Sequence, residues 1–97
     1  MAKGRHMIIC SCILHLDLLG VHSLKGRRSV VNKLKDKLKA FNVSVLDISS
    51  EYPKEAEVAI VFLSPNGLLA AQYREKIEVF LEKNFPHYNI DLEYEEI

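Results

Sequence analysis

With 97 residues, thirteen basic side chains against thirteen acidic ones and a mean hydropathy of zero, the chain has the makings of one small globular domain. No apolar run approaches the ~18 residues needed to cross a bilayer. The apolar stretch Met7–Leu16 is too short, and too broken by Ser11 and His15, for a signal peptide, so the expected location is the cytoplasm with no membrane partner.

Residues 1–6, MAKGRH, precede a second methionine and read as a leader or disordered arm, which leaves residues 7–97 as a single domain. Between Met7 and Leu16 the residues Ile8, Cys10, Cys12, Leu14 and Leu16 alternate with Ile9, Ser11, Ile13, His15 and Asp17. The first set is wholly apolar and the second mixed, the pattern of a strand with one buried face. Gly20 breaks it, and Ser23 is placed to cap a following helix. From Leu24 to Phe41 the residues Leu24, Val30, Val31, Leu34, Leu38 and Phe41 recur at helical spacing, with Lys25, Arg28, Lys35 and Lys39 on the opposite side.

Residues 42–49, NVSVLDIS, are rich in β-branched side chains and predict a second strand. A charged, proline-containing connection leads to residues 57–64, EVAIVFLS, a nearly continuous apolar run expected to be a central strand. Pro65 and Asn66 open a second helix running to about Asn84, with Leu69, Tyr73, Ile77, Phe80 and Leu81 as its apolar stripe. The tail then sets Ile90, Leu92 and Tyr94 against Asp91, Glu93 and Glu95, a strand apolar on one face and acidic on the other. The order βαββαβ is that of the ferredoxin-like α+β fold, a four-stranded antiparallel sheet with both helices on one face. The second and fourth strands should form the edges.

Cys10 and Cys12 point the same way on one strand, roughly 6.5–7 Å apart, too far for a disulfide without distortion. They read as small buried hydrophobes, and their spacing matches no zinc signature, so neither a metal nor another cofactor is expected. Overall neutrality conceals a strong dipole. Residues 1–41 carry nine Lys and Arg against two acids, net +7, and residues 42–97 carry four against eleven, net −7. The basic half is dense enough to attract a polyanion.

His22-Ser23-Leu24-Lys25, then Arg27-Arg28 after one intervening residue, is followed one helix later by Phe41-Asn42-Val43-Ser44-Val45. This pattern resembles the YlxP-like family, small bacterial proteins classed as a domain of unknown function. The resemblance runs over residues 7–97. It implies a ferredoxin-like fold, no established activity, and a ribosome-linked role, because genes of the family often lie beside those for translation initiation and ribosome maturation. Gly26, where the family commonly carries a charge, and a short connection before the third strand depart from its pattern.

Three functions are open to such a chain. The first is a non-enzymatic RNA- or ribosome-associated factor holding phosphates through Lys25, Arg27, Arg28, Lys35, Lys39 and His22, although such a basic run also suits a merely solvated face. Arg27 differs from its neighbours. It falls on the apolar side of the helix in its first turn, where an ion pair with Asp17 or Asp47 is the expected alternative to anion binding. The second is a homodimeric interaction or regulatory module that covers the open sheet face through Ile9, Ile13, Val43 and Val45. The third is an acylphosphatase-like phosphate-handling enzyme using the loop before the first helix, but neither that loop nor the surroundings of Asn42 matches the acylphosphatase sequence. His22 beside Ser23 lacks a third catalytic member, and His15 is expected to approach Glu93 across the sheet.

Overall fold

A computed structural model describes residues 6–97, so the leader expected at residues 1–6 lies, His6 apart, outside the described residues. Six elements follow in order: β1 (Ile8–Asp17), α1 (Leu24–Leu38), β2 (Ser44–Asp47), β3 (Glu55–Ser64), α2 (Gly67–Asn84) and β4 (Asn89–Glu96). The strands form one antiparallel sheet in the order β2-β3-β1-β4. This is the ferredoxin-like α+β arrangement expected from the alternation, with β2 and β4 at the edges.

β1 and β3 pair over ten residues, from Ile8 opposite Ser64 to Asp17 opposite Glu55. That register puts Cys10, Cys12, Leu14 and Leu16 on the same face as Val58, Ile60 and Phe62. Against this face α1 buries Val31, Leu34 and Leu38, and α2 buries Ala70, Ile77 and Leu81. Phe41, Tyr73, Phe80 and Phe62 interlock edge to face, with centroids 5.0–5.7 Å apart, and close the gap between the helices and the sheet. Both helices begin as their sequences demand. Ser23 Oγ accepts the Gly26 N–H at 3.0 Å and Asn66 Oδ1 accepts the Leu69 N–H at 2.9 Å.

Four expectations are corrected. Leu24 and Leu69 belong by spacing to the apolar stripes, yet each lies in the first turn of its helix and they are 44% and 45% exposed, respectively. β2 is half its expected length. The Ile48 N–H still bonds the Glu57 carbonyl at 2.9 Å, and beyond it side chains take over: Asp47 Oδ1 accepts from the Ser49 N–H and hydroxyl, and Ser49 Oγ accepts the Glu57 N–H. Val45 pairs with Ile60, so Val43 and Val45 pack toward the core and not on the open face. Leu46, opposite Ala59, takes their place there and is 64% exposed.

The thiols of Cys10 and Cys12 are free and buried. Burial, with the Cys10 thiol beside it, pushes Cys12 from near 9 up to about 11. The Tyr94 hydroxyl, 3.4 Å from Cys10 Sγ and 3.1 Å from Glu96 Oε1, is also raised, first by burial and then by these two contacts. Below pH 9 the folded and unfolded chains both keep the Cys12 proton. Between pH 9 and 11 only the unfolded chain releases it, so stability falls across that window. The expected loss is on the order of 2 kcal/mol. Urea midpoints measured at pH 8 and pH 10.5 should show it, and Cys12→Ala should remove most of the difference between them. An equal pH dependence in the variant would contradict the assignment.

Candidate functional site

α1 turns its apolar side chains to the sheet and thereby projects a basic row outward. Lys25, Arg28 and Lys39 are exposed and Lys35 is half-buried, all on one side of the helix and spread over about 21 Å of its length. Lys33 and Lys37 extend the charge to the adjoining side. Asp36 is the sole acid in α1, and its carboxylate lies 3.0 Å from Lys39 Nζ. Both partners are mostly exposed, so this pair adds little stability, but it offsets charge locally. Lys25, Arg28 and Lys35 are the cations of the row that lie outside this pair. A shallow depression of about 440 Å³ opens beside Lys33, Lys35, Asp36 and Lys39.

Arg27 does not join that row. It points to the sheet side of α1, half-buried, and its Nη1 donates to the Tyr52 carbonyl at 2.8 Å and the Glu55 carbonyl at 3.3 Å. The expected ion pair with Asp17 or Asp47 is thus replaced by a clamp from the first turn of α1 onto the β2–β3 connection. Neither acid comes within ion-pair distance of it among the described residues. Charge-assisted bonds to carbonyls hold the connection where an ordinary turn residue could not reach.

The β1–α1 loop turns at Gly20, whose φ of +84° lies in the left-handed region that favours glycine. His22 is exposed beside the capping serine. Two of the donors that could meet a phosphate here have partners within the chain: the Gly26 N–H bonds Ser23 Oγ, and Arg27 Nη1 bonds the Tyr52 and Glu55 carbonyls. Asn42 lies away from this loop and gives its backbone N–H to the Tyr73 hydroxyl at 2.7 Å.

On the opposite face of the sheet His15 sits between two carboxylates, 3.5 Å from Glu57 and 3.2 Å from Glu93, the second as expected. No group of three His, Cys, Asp or Glu among the described residues is arranged to hold a metal ion. β1 carries no aromatic residue, and Phe62, the only one on β3, is buried beneath the helices. The open face therefore lacks the stacking platform on which single-stranded RNA is read by sheets of this topology.

Residues 9–94 match the family described as "Protein of unknown function (DUF503)". The chain belongs to that family. No curated protein matches it. Among solved structures it is similar to the de novo designed protein Foldit4, with a TM-score of 0.54 and 11% identity over 93% of this chain and 97% of that one. At that identity the likeness speaks for the fold alone, and it agrees with the topology described above. No helix among the described residues is long and apolar enough to cross a membrane.

Sequence reasoning located the basic row, because a charge run opposite an apolar stripe is visible in the residue spacing. It missed the carbonyl clamp of Arg27, whose acceptors lie 25 and 28 residues away. It also missed Arg74, whose guanidinium stacks 4.6 Å from the centre of the Tyr94 ring, the ring whose hydroxyl meets Cys10 Sγ. A cation on α2 and a tyrosine on the last strand carry no local signal of meeting.

Proposed function

We propose that the chain is a non-enzymatic, cytoplasmic RNA- or ribosome-associated factor, a YlxP-like protein, that binds phosphates through the outer face of α1. The observation that carries this reading is the row of Lys25, Arg28 and Lys35 on a capped helix, with Asp36 as the helix's one acid and that acid paired with Lys39. Such a row neutralises phosphates and displaces counterions without reading sequence. The acidic open face supports the same orientation, since it repels a polyanion from the other side of the molecule. Lys39 closes the row at its C-terminal end, and His22, before the helix, extends the contact at the other. Arg27 contributes indirectly, by anchoring the helix that bears the others.

Affinity for single-stranded RNA should fall steeply as salt rises, with log K against log[salt] sloping by roughly −0.7 for each neutralised phosphate. Replacing Lys25, Arg28 and Lys35 together by Ala should flatten the slope by about 2 while the circular dichroism spectrum stays unchanged. Filter binding across a salt series measures this. Absent affinity at low salt, or an unaltered slope in the triple variant, would refute the reading. A pull-down from lysate with and without ribonuclease then separates ribosomal particles, which are lost on treatment, from a protein partner that survives it.

A further inference from the structure

The sheet face turned away from the helices has a composition of its own. Cross-strand register places Leu46, Val61, Leu63, Ile9 and Ile13 next to one another, and the N–H of Ile97 bonds the Ile9 carbonyl at 2.8 Å, which brings Ile97 to the same end. Leu46 and Leu63 are each 64% exposed, and Ile97 is 72% exposed. This apolar area is bordered on two sides by carboxylates. Glu93 and Glu95 run along β4 opposite Ile13 and Ser11, and Asp91, Glu57, Asp17 and Glu55 close the far end around His15. No Lys or Arg occupies any outward-facing position of the four strands.

We infer that this face docks a basic amphipathic helix of another protein, its apolar stripe on Ile9, Ile13, Val61 and Leu63 and its flanking Lys or Arg side chains over the Asp91–Glu93–Glu95 row. The charges select the occupant. A polyanion or an anionic membrane is repelled. A second copy laid face to face would bring six carboxylates from each side into one interface with no Lys or Arg on either, a juxtaposition that costs affinity heavily. The α1 helix of a second copy offers cations but keeps its apolar stripe buried, so it has no apolar side to lay on Ile9, Ile13, Val61 and Leu63. A helix about 10–12 Å across fits above the two central strands, which are spaced about 4.8 Å apart, with its basic flank reaching the β4 edge. The apolar area then supplies affinity, and the one-sided acidic border fixes the orientation.

The probe is a synthetic 18-residue helical peptide with Leu at positions i, i+3, i+4 and i+7 and Lys elsewhere, titrated into the isotopically labelled full chain. A counterpart with Glu in place of Lys serves as the control. Amide shifts should concentrate on Ile9, Ile13, Val61 and Glu93, the Glu peptide should give none, and the triple substitution Asp91→Lys, Glu93→Lys, Glu95→Lys should weaken binding at least tenfold. Should that variant lose its folded spectrum, Glu93→Gln alone should weaken binding about threefold. Shifts confined to α1 and α2, or equal binding of both peptides, would overturn the inference. So would a wild type that light scattering finds dimeric and that Ile13→Lys converts to a folded monomer, since a second copy would then own the face.

Discussion

Leu14→Ala should lower the free energy of unfolding by about 3 kcal/mol, whereas Ile13→Ala, one residue away, should cost about 1 kcal/mol or less. Leu14 is fully buried at the middle of the central strand, opposite Val58 on one side and Leu92 on the other, beneath both helices. Truncation there removes three carbons from contact on every side and leaves a cavity that a ten-residue ladder on β3 cannot relax to fill. Ile13 points to the open face, where solvent fills any space left behind. Small domains are stable by only about 5–15 kcal/mol, so Leu14→Ala removes a large share of the total, with a fall in Tm of about 12–24 °C. Thermal and urea unfolding of the two variants provide the test. Equal losses would mean that the open face is as tightly covered as the core.

The same contrast explains how much of the molecule can be read from residue order. Alternation along β1 and β4 and the 3.6-residue period of α1 and α2 each have one dominant cause, a buried face, and burial leaves a periodic trace. The topology follows from those periods and from the chain order. Parity within β2 is different. Val43, Val45 and Leu46 are all apolar, and only the pairing of Val45 with Ile60 decides which of them face the helices. The end of β2 involves Asp47 and Ser49, polar side chains that take up the Ser49 and Glu57 N–H groups just past the last main-chain bond, from Ile48 to Glu57. Leu24 and Leu69 fit their stripes by angle but sit in the first turns of their helices and stay largely exposed, which the period of a single helix does not record. At the candidate site, exposed charge was legible and long-range clamping was not. Lys25, Arg28 and Lys35 could be assigned from spacing alone, whereas Arg27 needed the position of carbonyls on another connection.

Arg27 and Arg28, adjacent in the chain, should therefore respond oppositely to the same substitution. Arg27→Ala should cost about 2 kcal/mol of stability, because it withdraws a charged donor from two carbonyls and frees the β2–β3 connection from α1. RNA affinity, measured at a temperature where the variant stays folded, should keep its salt slope. Arg28→Ala should leave stability within about 0.5 kcal/mol, since the side chain is exposed, and should reduce the slope by about 0.7. Arg27→Lys adds a sharper discrimination. An ammonium keeps the charge for a phosphate but lacks the planar fork, and a shorter, more strongly hydrated group is poorly suited to the site between Tyr52 and Glu55. If Arg27 acts as a clamp, Lys at position 27 recovers less than half of the lost stability. If Arg27 contacts phosphate, Lys restores RNA binding while Ala abolishes a share of it. A stable Arg27→Ala variant with a flattened salt slope would move Arg27 from the scaffold to the binding face and require α1 to turn about its own axis to present it.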